Sequence, residues 1–161
     1  MGARNTHFVN PNGLHHKEHY TTAYDLALIS AYAMKNPVFR TIVATKYKRI
    51  PWEGHEWDRV MQNKNRILWE YEGGNGIKTG YTKAANRCLA AAAQRNNMQL
   101  VSVVLNCHSW FDDSMALLDY GFKEYHPHQV FTKDQVLGEI DVKHGSEKKI
   151  PMMIREGVVL P

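Results

Sequence analysis

Cysteine is scarce in this sequence: Cys88 and Cys107 are its two, and they form no Cys-x-x-Cys pair, so neither a zinc knuckle nor a disulfide framework is expected. Long apolar runs are missing too. No stretch reaches the roughly 20 residues that a membrane-spanning helix needs, and no apolar segment follows Met1-Gly2-Ala3-Arg4-Asn5 as it would in a secretory signal. Any address or anchor is therefore expected outside this chain. Charge of one sign does not gather into a block; the formal net charge of +4 comes from scattered Lys and Arg, which argues against a nucleic-acid partner. His-Glu-x-x-His is absent. His15, His16 and His19 lie close enough in sequence to ligate a metal or simply to face solvent at a helix entry, and their loop setting favours the second, so no metal is expected.

What is present is the composition of a globular protein, 43% hydrophobic and 22% charged over 161 residues, enough chain for one domain with a core and the start of another. Residues 6–14 read as an extended stretch entering an Asn-Pro-Asn-Gly turn. Thr22-Ala23-Tyr24-Asp25 has the form of a helix N-cap, followed by Leu26, Ile29, Ala33 and Met34 at helical spacing. Asp25 could be taken for a catalytic acid, but its place in this cap is a sufficient structural role. That helix should stop near Asn36-Pro37, where Pro37 can open a second, shorter helix. A short strand over 45–50 and a turn at Pro51-Trp52-Glu53-Gly54 come next, and Gly73-Gly74-Asn75-Gly76 reads as flexible punctuation. Runs from Cys88 to Ala93 and Leu100 to Leu105, divided by Gln94-Arg95-Asn96-Asn97, predict a β-hairpin. With the turn centred on Asn97-Met98 the two sulfurs would face each other and could bridge; with a shift of one residue they would not, and two buried reduced thiols are the favoured reading. Phe111, Met115, Leu118 and Leu117 predict an amphipathic helix with Asp112 and Asp113 in its first turn and Gly121 as its stop. After His126 only β patterning remains. Two domains are expected, 1–126 and a β-rich 127–161, with both ends of the chain looking cut.

Lys78-Thr79-Gly80 carries chemistry. The trio belongs with Ser-x-x-Lys in penicillin-binding proteins and β-lactamases. A cation and a hydroxyl on an exposed strand edge attract and hydrogen-bond a substrate carboxylate. A glycine beside them lets a peptide approach and pair with the strand as an added strand.

Around this trio stand Asn10-Pro11-Asn12-Gly13-Leu14, Tyr20-Thr21-Thr22-Ala23-Tyr24-Asp25-Leu26-Ala27, Asn63-Lys64-Asn65, Gly76-Ile77-Lys78-Thr79-Gly80-Tyr81-Thr82 with Cys88-Leu89, and Leu117-Leu118-Asp119-Tyr120-Gly121-Phe122. In order and separation, these resemble the low-molecular-mass penicillin-binding D-alanyl-D-alanine carboxypeptidases over residues 3 to 125. The resemblance implies a mixed α/β fold, helices packed on an antiparallel sheet as in the serine β-lactamase and transpeptidase fold, incomplete at the N-terminus. The tail resembles the opening of the β-rich domain that follows in that family. The implied activity is a serine-type hydrolase, removing the terminal D-alanine of peptidoglycan stem peptides through an acyl-enzyme, with no cofactor. The implied partners are stem peptides ending in D-Ala-D-Ala and β-lactam antibiotics. The implied location is extracytoplasmic, facing the cell wall, with membrane association only through parts outside this chain. By position, Lys78, Thr79, Gly80 and Thr82 would bind substrate, Lys78 would serve the catalytic network, and the Tyr81 backbone N–H would be one of two oxyanion donors.

Two departures stand out. The family's Ser-x-x-Lys and Ser-x-Asn precede its Asn-Pro-x-Gly-Leu stretch, and neither occurs there in this sequence. Ser146-Glu147-Lys148-Lys149 matches Ser-x-x-Lys in letters, but it sits in a turn after the Lys-Thr-Gly trio rather than at the start of a buried helix. The chain alone is therefore expected to be inactive. Trp110 also occupies the position closest to an arginine that many members use as a carboxylate ligand. A β-lactamase-type hydrolase and a non-catalytic peptidoglycan-binding module remain as alternatives. Trp52, Trp57 and Trp69 could line a sugar-stacking groove, with core or rim packing favoured because tryptophan is usually largely buried.

Overall fold

A computed structural model describes residues 2–160. The chain forms two compact units, Met1–Glu124 and Tyr125–Pro161.

In the first unit, Thr22 caps α1 (Ala23–Ala33) by accepting the Asp25 N–H, as its sequence predicts. The helix ends at Met34, slightly ahead of the expected stop. Asn36 then caps α2 (Pro37–Ala44) by accepting the N–H groups of Val38 and Phe39, with Pro37 in the first turn. A two-stranded hairpin follows, β1 (Tyr47–Ile50) and β2 (Arg59–Gln62). Of the pair, β2 was not legible in the sequence, because both of its faces are exposed and it carries no alternation. The short α3 (Ile67–Glu70) was also missed, being a single turn.

The central sheet runs β3 (Gly74–Thr82), β4 (Asn86–Arg95) and β5 (Met98–Val104), antiparallel in that order. Ala90, Ala91, Ala92 and Ala93 on β4 are all buried. A strand covered on both faces loses polar alternation, and the small alanine side chains let helices approach from either side. On one face Ala91, Ala93 and Leu89 pack with Ile67, Phe111 and Leu118; on the other, Ala90 and Ala92 pack with Met34 and Ile77. Phe111 and Leu118 belong to α4 (Trp110–Glu124).

Two expectations are corrected and one open question is decided. The glycine run is not loose punctuation: β3 begins at Gly74, where a Cβ would overlap the Ile67 carbonyl, and a Cβ on Gly76 would come within 2.9 Å of Val43 Cγ2. These glycines let α3 and α2 pack directly on the strand. Gly121 does not stop α4 but lies buried inside it, where a Cβ would stand 2.6 Å from Leu100 Cδ1. The β4–β5 turn is centred on Asn96 and Asn97, which take φ of 47° and 64° as a two-residue hairpin turn demands. With Leu89 opposite Val104, Cys107 lies beyond the partner position of Cys88, and both thiols are free and half-buried.

The second unit is entirely β and turn: β6 (His128–Phe131) pairs with β9 (Val158–Leu160), and β7 (Val136–Asp141) with β8 (Lys149–Met153). No helix of the described residues is long and apolar enough to cross a membrane.

Candidate active site

Strand β3 is an edge strand. It pairs with β4 on one side, and no other strand among the described residues pairs with its second edge. Its first half is buried at Gly76 and Ile77, and its second half emerges: Lys78, Gly80 and Tyr81 are exposed, Thr79 and Thr82 half-buried. All five of these residues line one cleft of about 870 Å³, within the size range of small-ligand sites. The Lys78 ammonium donates to the Thr79 carbonyl across the strand's own backbone. The Thr82 hydroxyl accepts the Ala85 N–H at 3.0 Å, which ties it to the turn into β4 and leaves its proton and one lone pair for a further partner.

The opposite wall is the loop from Phe8 to His15. Asn10 closes it: its side-chain oxygen accepts the Leu14 N–H at 2.9 Å while its nitrogen donates to the Leu14 carbonyl at 2.8 Å. Gly13, at φ 76°, supplies the left-handed residue that this turn requires. The base of the loop is tied down by the Asp25 carboxylate, which accepts the Asn5 N–H at 2.6 Å and the Thr6 hydroxyl at 2.7 Å. The Thr6 hydrogen bond, chiefly, holds the Asp25 carboxyl below its ordinary pKa. Asp25 is thus a buried anchor rather than a proton donor. Sequence reasoning assigned the Asn10–Leu14 stretch to a turn but gave it no place in the site, because its role depends on folding against a strand more than 60 residues away.

The histidines do not converge on a metal: among the described residues no cluster of three His, Cys, Asp or Glu could hold one. His19 instead accepts the Val9 N–H through Nδ1 at 3.1 Å, and His16 accepts the Glu18 N–H at 3.2 Å, so both brace the loop.

Ser30, Ser102 and Ser114 are buried, and Ser102 donates to the Ser114 carbonyl. Ser109 is exposed and does not line the cleft, and Ser146, in the second unit, is exposed. The Cys107 thiol donates to Asp113 at 2.9 Å, and this acceptor pushes its pKa above the ordinary thiol value. Trp110 packs on Phe111 with ring centroids 4.6 Å apart, and the Arg87 guanidinium lies 6.0 Å over its ring. Across the ladder, Arg87 is the partner of Tyr81.

With a cation, a hydroxyl and an open backbone edge on one wall of a cleft, comparison with known proteins decides the family. Residues 1–109 match the family model described as D-alanyl-D-alanine carboxypeptidase. The chain belongs to the D-alanyl-D-alanine carboxypeptidase family. Among its relatives, DacF of Bacillus subtilis is 31% identical over 98% of this chain and 41% of its own length. DacB2 of Mycobacterium tuberculosis is 34% identical over 76% of this chain and 44% of its own. Penicillin-binding protein 5 from Haemophilus influenzae superposes with a TM-score of 0.79 at 25% identity, over 99% of this chain and 46% of that one. The DD-transpeptidase of Streptomyces K15 superposes with a TM-score of 0.70 at 34% identity, over 76% and 49%. This carboxypeptidase-family chain thus spans less than half the length of these relatives, and it has their mixed α/β fold with an antiparallel sheet.

Proposed function

We propose that these residues form the Lys-Thr-Gly wall of a serine-type carboxypeptidase that removes the terminal D-alanine of peptidoglycan stem peptides. The observation that carries this reading is that β3, whose second edge pairs with no other described strand, lines a cleft with Lys78, Thr79, Gly80, Tyr81 and Thr82. A stem peptide lies along that edge as an added strand, Gly80 permitting the approach. Thr79 donates to the terminal carboxylate, and Lys78 supplies positive potential to the carboxylate and to the reacting groups. The serine oxygen, supplied from outside these 161 residues, attacks the carbonyl of the penultimate D-alanine. Negative charge on that carbonyl oxygen is met by the Tyr81 N–H and a second backbone donor. The terminal D-alanine leaves as its amine, and water then releases the acyl group from the serine. Penicillins acylate the same serine. The setting is extracytoplasmic, at the cell wall.

Two measurements test this. Amide resonances of residues 78–82 should shift on titration with a tripeptide ending in D-Ala-D-Ala. Intact-mass analysis after incubation of the chain with benzylpenicillin should show no adduct. Absence of any shift in β3, or an adduct on Ser146, would sink the reading. A β-lactamase-type parent would be recognised by rapid turnover of its penicillin adduct, and a non-catalytic module by muropeptide binding with no D-alanine release from the complete protein.

A further inference from the structure

The hairpin β1–β2 hides nothing. Residues 51–60 are exposed throughout, and the two strands pair only with each other. Its tip nevertheless holds ordered rings. The His55 N–H donates to the Trp52 carbonyl at 3.0 Å, closing a turn that Gly54 completes at φ 81°. Ring centroids of Trp52 and His55 are then 4.0 Å apart, and those of His55 and Trp57 5.0 Å. The Arg59 guanidinium stands 4.7 Å over the Trp52 ring, and Trp57 remains 61% exposed. The rings brace one another, Trp52 staying 39% exposed, and it is Trp57 that departs from the expected core or rim packing. At the base of the same hairpin Trp69 meets Tyr47 edge-on at 5.2 Å, with the Lys46 ammonium 4.9 Å over its ring.

An exposed aromatic cluster rimmed by polar groups marks a binding surface, and the rim selects the ligand. Glu53, Glu56 and Asp58 interleave with the tip rings, Lys48, Arg49 and Arg59 flank them, and Asp58 pairs with Arg49 at 3.9 Å, so the rim offers both acceptors and donors. An apolar partner would leave charges of both signs without partners, and an anionic headgroup would meet only the basic half of this rim. A sugar ring satisfies both features: its C–H face stacks on indole, and its hydroxyl edge donates to carboxylates and accepts from guanidinium. With aromatic clusters at tip and base, the surface suits an extended chain over a single sugar.

We infer that the β1–β2 hairpin is a carbohydrate-docking site, occupied by the amino-sugar backbone to which the stem peptides are attached. Identifying that glycan rests on the peptidoglycan reading above; the carbohydrate chemistry does not. Such a site lets the enzyme hold the polymer while β3 works on its peptide branches.

The test titrates the protein separately with a β-1,4-linked N-acetylglucosamine hexamer and with a D-Ala-D-Ala-terminated tripeptide, followed by NMR. The hexamer should shift the indole N–H resonances of Trp52 and Trp57 and leave the amides of 78–82 in place. Trp57→Ala should weaken hexamer binding on the order of tenfold, and Trp52→Ala with Trp57→Ala should remove it, both with unchanged melting temperature and unchanged tripeptide affinity. Unmoved indoles, hexamer affinity equal in Trp57→Ala, or Trp57-dependent sedimentation with phosphatidylglycerol vesicles in place of hexamer binding would each overturn the inference. If the tripeptide binds and the hexamer does not, the docking site alone falls. If the hexamer binds and the tripeptide does not, the docking site stands and the carboxypeptidase reading falls.

Discussion

Asn10 grips Leu14 with both ends of its side-chain amide, one accepting the backbone N–H at 2.9 Å and the other donating to the carbonyl at 2.8 Å. The pair fixes the loop that faces Lys78 and Thr79 across the cleft. A hydrogen bond of this kind contributes about 0.5–1.5 kcal/mol net. Asn10→Asp keeps the acceptor and loses the donor; Asn10→Ala loses both. Hydrogen exchange at the Leu14 amide should accelerate in Asn10→Ala and much less in Asn10→Asp, with the overall fold retained in both.

Removing the cation or the hydroxyl of β3 should weaken substrate without disturbing stability. Lys78 is exposed and makes no ion pair among the described residues, and Thr79 is half-buried. A hydrogen bond to a charged group is worth about 1.5–3 kcal/mol, or roughly 10- to 150-fold in affinity. Titration calorimetry with the D-Ala-D-Ala tripeptide should show losses in that range for Thr79→Val and Lys78→Ala, and unchanged melting curves.

Asp25 ties the loop to α1, and its pKa is lowered in the folded protein, first of all by the Thr6 hydroxyl. A carboxyl with a folded pKa below its unfolded value stabilises fully above the unfolded value, near 3.9. That contribution is lost as pH falls through the folded value. The melting temperature should therefore drop as pH falls below about 4, and the Asp25→Asn variant should show a flatter dependence over the same range. An identical slope in the two proteins would remove the carboxylate from this role.

Two glycines offer a contrast in what a methyl group meets. On Gly74 it meets the Ile67 carbonyl, which is backbone and cannot step aside; on Gly121 it meets Leu100 Cδ1, the end of a side chain that can rotate. Gly74→Ala should cost about 1–3 kcal/mol. For Gly121→Ala the side-chain adjustment is offset by the roughly 1 kcal/mol gained when alanine replaces glycine within a helix. Urea denaturation should separate the first variant clearly from the wild type and the second hardly at all.

Features that depend on near neighbours were legible before any coordinates. Thr22 before Asp25 announced α1, Pro37 announced α2, and the polar break between two apolar runs announced the β4–β5 hairpin. The same reasoning left the centre of that turn open by one residue, since a run of polar residues does not say which two take positive φ. That single step decides whether Cys88 and Cys107 can meet. Gly121 was misread for a related reason: a glycine at a helix end and one making room for Leu100 look alike in sequence. Trp57 was misjudged because hydrophobic character is a property of the residue, whereas exposure belongs to the fold.

By itself the sequence determined the family, the Lys-Thr-Gly trio and most of the elements, because caps, turns and periodic patterns act over a few residues. The tertiary structure alone decided that β3 keeps an open edge, that the Asn10 loop stands opposite it, and that the β1–β2 hairpin leaves its rings in water. Each of these depends on which distant segments pack together, and no local preference encodes that.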